Sequence, residues 1–259
     1  MRPSLQGVIQ FAKKAGEILQ AGIGTDLKIQ HKGRIDLVTN TDKLSEEYLL
    51  GEIQKHYPHH TIFTEESGHH EGDSDYCWYI DPLDGTANYA HGVPIYCVSI
   101  AYVEKQQLRL AVIYDPTRQE CFSAESGQGA WLNGHAIHVS QITQLVDALL
   151  ATGFPYQIKT VDNNLDNFAR FYFSAQSVRR LGSAALDMCY VAAGRMDGYW
   201  QIQSHAWDMA AGTLLVREAG GKVTNLAGEE DILKEPYCVV AANPRLHPKM
   251  MQILQKNSK

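Results

Sequence analysis

Trp78-Tyr79-Ile80-Asp81-Pro82-Leu83-Asp84-Gly85-Thr86-Ala87-Asn88-Tyr89 is the stretch on which the reading of this sequence turns. An apolar, strand-forming run leads straight into two aspartates, and Pro82 between them cannot continue a hydrogen-bonded ladder. Asp84 stands where a helix N-cap belongs, with Gly85-Thr86-Ala87 offering free backbone N–H groups of the kind that bind phosphate. Two carboxylates beside an anion site repel the anion unless divalent cations lie between them. Magnesium takes a few carboxylates plus phosphate oxygens. The arrangement therefore reads as a magnesium–phosphate site.

Upstream, Val8, Phe11, Ala12, Ala15 and Leu19 recur at helical spacing, with Lys13, Lys14 and Glu17 on the opposite side. A polar segment, His31-Lys32-Gly33-Arg34, and an extended run, Asp36 to Thr39, follow. Thr41 or Asp42 is expected to cap a second helix that buries Leu44, Tyr48, Leu49 and Ile53 and stops before Pro58. Thr61–Thr64 and Tyr76–Ile80 read as strands. Tyr96–Val103, Leu108–Tyr114 and Glu120–Ala124 read as an antiparallel meander, with Ile137-His138-Val139 as its last member.

Beyond about residue 143 the texture changes to strand–helix alternation. Strands are expected at Ala148–Thr152, Ser177–Arg180, Gly198–Ile202 and Cys238–Ala242. Helices are expected at Asn163–Phe173, Ser183–Ala193, Trp207–Ala219 and Pro248–Leu254. The expected organisation is thus an α/β protein of mixed α+β character in two halves, residues 1–143 and 144–259.

The chain has 259 residues, 44% hydrophobic and 20% charged, enough for a substantial core and too apolar for a disordered chain. Its formal charge of −6 disfavours general binding to nucleic acid or to anionic membranes. The N-terminal segment lacks the unbroken apolar run of a secretory signal, and no stretch approaches the ~18 apolar residues of a membrane span. A cytoplasmic protein is expected. Cys77, Cys97, Cys121, Cys189 and Cys238 are scattered without a CxxC pair and read as buried reduced thiols. His59-His60 and His69-His70 read as surface loops rather than a soft-metal site.

Two further segments are weak alone and strong together. Glu65-Glu66 follows the strand ending at Thr64. Trp207-Asp208-Met209-Ala210-Ala211-Gly212 opens a helix with small residues that permit close approach, beside an aspartate. Thr64-Glu65-Glu66-Ser67-Gly68, Asp81-Pro82-Leu83-Asp84-Gly85-Thr86 and Trp207 to Gly212 resemble the three signatures of the inositol monophosphatase family. Asp36 to Asp42, Gly182-Ser183-Ala184-Ala185 and Glu218-Ala219-Gly220-Gly221 add to the likeness, which runs from the first helix to Ala242-Asn243-Pro244.

The resemblance implies a layered αβαβα sugar-phosphatase fold and hydrolysis of a phosphate monoester, myo-inositol monophosphate foremost. It implies two or three Mg²⁺ ions per site, held by Glu65, Asp81, the Leu83 carbonyl, Asp84 and Asp208. Catalytic roles fall on Thr86, Asp42 and Glu65, which orient and deprotonate an attacking water. Phosphate contacts fall on Gly85 and Thr86, within a substrate-binding set that also includes Leu83, Asp84, Gly182, Ser183, Ala184, Gln201 and Asp208. Lys32 matches a loop at the active site. Lithium sensitivity and a homodimer are also implied.

One departure stands out. Gln201 lies seven residues before Asp208, where inositol phosphatases of the family carry a glutamate that holds substrate hydroxyls. An amide hydrogen-bonds a diol without charge, so preference among sugar phosphates is open. Three rival readings remain. A haloacid-dehalogenase-type phosphatase needs Asp-x-Asp-Gly-Thr, whereas the spacing here is Asp-x-x-Asp-Gly-Thr. A broader sugar phosphatase, including fructose-1,6-bisphosphatase activity, shares the metal motifs. A regulatory interaction protein of the same family is the non-enzymatic alternative.

Overall fold

The structure, a computed structural model, describes residues 2–24, 29–31, 37–155 and 164–255. Lys32, Gly33, Arg34, Asp36 and Asn163, singled out above, lie outside the described residues. In chain order the elements begin with α1 (Leu5–Gly22), β1 (Ile29–His31), β2 (Leu37–Thr39) and α2 (Asn40–His56). β3 (His60–Thr64), β4 (Gly68–His70), β5 (Asp73–Asp84), α3 (Thr86–Ala90), β6 (Cys97–Glu104), β7 (Gln107–Asp115), β8 (Glu120–Glu125), β9 (Ala130–Leu132) and β10 (His135–Ile137) follow. The remainder comprises β11 (Leu149–Thr152), α4 (Leu165–Ser174), β12 (Ser177–Arg179), α5 (Ala184–Ala192) and β13 (Gly198–Gln201). It closes with α6 (Ala206–Glu218), β14 (Lys222–Thr224), β15 (Val239–Ala242) and α7 (His247–Leu254).

Two large sheets organise the chain. One has eight strands in the order β10-β9-β8-β7-β6-β5-β3-β4, the other five in the order β12-β11-β13-β15-β14. Successive side chains of a strand point to opposite faces, and here both faces are covered. On the large sheet, Ile100 and Val112 pack with Val8, Leu19, Leu49 and Ile53 of α1 and α2. Their neighbours Ala101 and Ile113 face Leu186, Met188, Leu214 and Leu215 of α5 and α6. On the small sheet, Tyr199 and Ala241 meet α5 and α6 from the other side. Trp200 and Val240 pack with Phe171 of α4 and Met250 of α7. Helix pair, sheet, helix pair, sheet, helix pair: the α/β fold has the five αβαβα layers expected. The unbroken burial of α6 from Met209 to Val216 is explained by its place between the two sheets.

Several local expectations shift. The second helix starts at Asn40, two residues before Asp42. Thr39 is its N-cap, and Asp42 is the N3 partner in a capping box. Leu44 is 52% exposed instead of buried, because the inward face of α2 carries Asp42, Ser45 and Glu46 ahead of Leu49 and Ile53. β5 runs through Pro82 to Asp84. Asp81 pairs with Ser99 and Asp84 with Cys97, so one extra residue is accommodated as a bulge, a place where proline fits. The cap of α3 is therefore Gly85, at φ 96°, and not Asp84. A Cβ there would approach the Ile95 carbonyl oxygen to 2.8 Å, so only glycine is accommodated.

His60 is a strand residue, 8% exposed, stacked on Tyr57, Tyr76 and Tyr102, and its Nδ1 accepts from the Trp78 indole at 3.0 Å. It is not a surface-loop histidine. β1, β4, β9 and β14 are not anticipated by the sequence, and the last strand of the large sheet is His135–Ile137 instead of Ile137–Val139. All five cysteines are buried and free. Among the described residues, no helix is long and apolar enough to cross a membrane.

Candidate active site

Strand direction brings the first two acidic segments together. β3 and β5 are parallel, with Thr64 opposite Ile80 as their last pair, so Glu65 and Asp81 follow side by side at the same end of the two strands. Glu65 begins the three-residue turn Glu65-Glu66-Ser67 between β3 and β4, closed by Gly68 at φ 82°. The bulge then carries Asp81, Leu83 and Asp84 forward. Asp81 Oδ1 accepts the Leu83 amide at 2.9 Å, which fixes the turn in the chain around Pro82.

The middle helices supply the opposite wall. Ser183 caps α5, and Asp84 is held there across the fold. Its carboxylate accepts from Ser183 Oγ at 2.5 Å, from the Ala185 amide at 2.8 Å and from the Ala184 amide at 3.3 Å. A carboxylate at a helix N-terminus is favoured by the free amides and the dipole. Asp208 is the N3 residue of α6. Its Oδ2 accepts from the His205 amide at 2.9 Å and from Ser204 Oγ at 2.7 Å. Asn88 ties the Gly182 loop to the large sheet by donating to the Leu181 and Ile95 carbonyls, each at 2.8 Å.

Glu65, Asp81, Leu83, Asp84, Gly85, Thr86, Gly182, Ser183, Ala184, Gln201 and Asp208 all line one cleft. Of the residues marked out by sequence, Asp42 lies behind this wall rather than in it. Its Oδ1 is 3.1 Å from Thr86 Oγ1. The cleft also contains Gly153, Phe154, Arg180, Asp187, Tyr199 and His205, none of which the sequence reading singled out. Gly153 has a legible reason to be glycine: a Cβ there would run into the Gln201 amide. Gln201 itself is held at both ends, its Oε1 accepting from the Tyr199 hydroxyl and its Nε2 donating to the Gln203 carbonyl at 2.8 Å.

The electrostatics are those of a crowded, buried acid cluster. Burial, then Glu65, Asp84 and Asp208, push Asp81 well above the ordinary carboxylate range. Burial and Asp208 push Asp84 up to about 6, against the hydrogen bonds from Ser183, Ala185 and Ala184. Burial also raises Asp42, opposed by its bonds from Thr39 and Thr86. Asp187 rises for the same first reason, with Asp84 adding to it and Arg180 subtracting, and its buried Oδ1 has no hydrogen-bond partner among the described residues.

Among the described residues, no three His, Cys, Asp or Glu side chains stand together so that they could hold a metal ion by themselves. The donors instead line a shared cleft as hard oxygens: four carboxylates and the Leu83 carbonyl. Such donors suit Mg²⁺, which keeps several waters and takes phosphate oxygens, rather than a closed all-protein cage. The raised Asp81 and Asp84 show the repulsion that a divalent cation would relieve. On both counts the residues fit the ion.

Comparison with known proteins agrees. The inositol monophosphatase family matches residues 1–259. The Nus factor SuhB of Escherichia coli strain K12 is 44% identical over 255 residues, covering 97% of this chain and 95% of its own. The inositol monophosphatase of Anabaena (Nostoc) sp. PCC 7120 superposes with a TM-score of 0.87 at 40% identity, covering 97% of this chain and 95% of that one. An IMPase/NADP phosphatase complexed with Mg²⁺ and phosphate superposes at 0.85 with 26% identity, over 97% and 95% of the two chains. Fold, cleft and likeness along the whole length lead to one conclusion: the chain belongs to the inositol monophosphatase family.

Proposed function

We propose that this protein is a magnesium-dependent phosphate monoester hydrolase with myo-inositol monophosphate as its substrate. The observation that carries the reading is the convergence of Glu65, Asp81, Asp84, Asp208 and the Leu83 carbonyl on one cleft, with Thr86 and Asp42 beside them. Bound Mg²⁺ supplies charge neutralisation for the phosphoryl group and acidifies a water for in-line attack. The chain's own part is positioning. The Gly85-Thr86 backbone holds phosphate, and Thr86 with Asp42 orients the attacking water and takes its proton, assisted by Glu65. Asp208, Gly182, Ser183, Ala184 and Gln201 surround the leaving alcohol. In the present arrangement the Ser183 hydroxyl and the Ala184 amide point to Asp84, so their support for the alcohol is partly through that carboxylate.

The enzyme is proposed to act in the cytoplasm, without nucleic acid as a partner and as a homodimer. The halves 1–143 and 144–259 would each carry one sheet, yet they share a core, because α5 and α6 of the second half lie between the sheets. Gln201, neutral where a carboxylate is expected, favours a broader sugar-phosphate range as the alternative specificity. The likeness to a Nus factor supports, as a second reading, a regulatory role carried alongside catalysis.

Steady-state kinetics with Mg²⁺ on inositol, fructose, glycerol and nucleotide phosphates tests the assignment. The highest kcat/KM for myo-inositol 1-phosphate supports it. A higher value for a sugar bisphosphate moves it to the alternative, and no hydrolysis of any ester leaves only the regulatory role.

A further inference from the structure

Glu46 has no part in the chemistry just described, and it is almost fully buried at 4% exposure on the inward face of α2. Its carboxylate accepts three hydrogen bonds, one from the last residue of β3 and two from the β3–β4 turn. Oε2 takes the Thr64 hydroxyl at 2.6 Å and the Glu66 amide at 3.0 Å, and Oε1 takes the Ser67 amide at 2.9 Å. These donors flank Glu65 on both sides. We infer that Glu46 is a positioning residue that fixes the Glu65 turn in the shape needed to hold a divalent cation at the cleft.

Three features of the geometry carry this inference, which rests on the metal-dependent reading of the cleft. First, a tight three-residue turn exposes amides that no strand partner can take, and a buried acceptor with two oxygens satisfies two of them at once. Second, the acceptor must be a carboxylate. An amide at this position would turn an NH₂ group toward N–H and O–H donors and leave at least one of them unmatched. Third, the neighbouring residues of the same helix face do the same for the other segments of the site. Ser45 Oγ donates to the Pro82 carbonyl at 2.9 Å, and Asp42 meets Thr86. The polar stripe Asp42, Ser45 and Glu46, spaced at i, i+3 and i+4, thus braces the Thr86 segment, the Pro82 bulge and the Glu65 turn from one rigid element. Outer groups that hold metal ligands typically change metal affinity by about 10–100-fold when removed.

The test is Mg²⁺ binding to the full-length protein without substrate, measured by calorimetry, together with thermal unfolding in chelator. Glu46→Gln is expected to weaken Mg²⁺ binding at least about tenfold while the chelated protein still unfolds cooperatively. Thr64→Val, which removes one of the three bonds and keeps side-chain volume, is expected to weaken binding by a smaller factor. Equal Mg²⁺ affinity in wild type and a folded Glu46→Gln, whatever the change in unfolding temperature, overturns the inference. If Glu46→Gln does not fold, Thr64→Val decides: weaker binding supports the role and unchanged binding ends it. Wild-type protein that binds no Mg²⁺ would instead refute the metal-dependent reading itself.

Discussion

Thr86 Oγ1 stands 3.1 Å from Asp42 Oδ1, although 44 residues of chain separate them, and 3.0 Å from the Leu83 carbonyl oxygen. The hydroxyl has one proton and two acceptors. When the proton points to Leu83, the Thr86–Asp42 contact is a hydrogen bond only if Asp42 holds a proton, and the Thr86 oxygen keeps a lone pair for a water in the cleft. When it points to Asp42, the two side chains form a relay with that carboxylate at its end. Removing either member should therefore cost turnover and not folding. Thr86→Val and Asp42→Asn are each expected to lower kcat by about 10²–10⁴, the usual range for general acid–base partners. The double variant should be little worse than the poorer single one. Multiplicative losses would show that the two act independently.

Asp84 ties stability to pH in the metal-free protein. Its ordinary value is 3.8 and the fold raises it to about 6, chiefly by burial. Folding thus favours the protonated form, so the contribution to stability is full below the ordinary value and is lost as pH rises through about 6. Asp84→Asn removes this dependence. In chelator, the unfolding temperature of Asp84→Asn relative to wild type should rise between pH 5 and pH 7.5. Added Mg²⁺ should stabilise wild type more at pH 7.5 than at pH 5, because at the lower pH it must displace a proton. A difference between the two proteins that stays flat with pH would contradict the assignment.

The Tyr199–Gln201 pair bears on substrate preference. The Gln201 carbonyl accepts the Tyr199 hydroxyl and its NH₂ donates to the Gln203 carbonyl, so the side chain presents no net charge to the cleft. Gln201→Glu places an oxygen against the Gln203 carbonyl and adds a negative charge near the leaving alcohol. The ratio of kcat/KM for myo-inositol 1-phosphate to that for fructose 1,6-bisphosphate is expected to rise about tenfold, ~1.4 kcal/mol of differential transition-state stabilisation. An unchanged ratio would remove Gln201 from the specificity argument.

An aromatic ladder leads from the cleft to the surface of α4. Phe154 lines the cleft, and Phe154–Phe168, Phe168–Tyr172 and Tyr172–Phe173 have ring centroids 5.9, 6.5 and 5.5 Å apart. Tyr172 and Phe173 are 63% and 86% exposed, and Leu165, at the start of the same helix, is exposed as well. These exposed rings are a candidate contact surface for the proposed homodimer. Sedimentation should show wild type as a dimer and Tyr172→Ser/Phe173→Ser as a monomer. A wild-type monomer at micromolar concentration would refute self-association through this face.

Much of this site is legible in the sequence, for identifiable reasons. Asp81, Asp84 and Asp208 sit at element ends, where sequence pattern and acid chemistry coincide. Their convergence was inferred from resemblance and is explained by the parallel β3–β5 pair and the packed N-termini of α5 and α6. The Pro82 bulge was misread as a strand end because a proline breaks a regular ladder but not a bulged one. On α2 the apolar pattern places Leu44 inside and gives no sign that Glu46 is buried. A helix is ordinarily read by its apolar stripe, and α2 turns polar Asp42, Ser45 and Glu46 inward because the turns carrying the site supply their hydrogen-bond partners. His60 was read as exposed because its aromatic neighbours Tyr76, Trp78 and Tyr102 come from other strands, a contact invisible to local composition.

Phosphate release from myo-inositol 1-phosphate, followed before chelation, after exhaustive chelation and after Mg²⁺ is restored, tests the central claim most directly. A folded Asp208→Asn variant is carried through the same steps. The convergent carboxylates require that wild-type hydrolysis disappear with the metal and return with it, and that Asp208→Asn remain inactive throughout. Undiminished hydrolysis by chelated wild type, or full activity in Asp208→Asn, would contradict it.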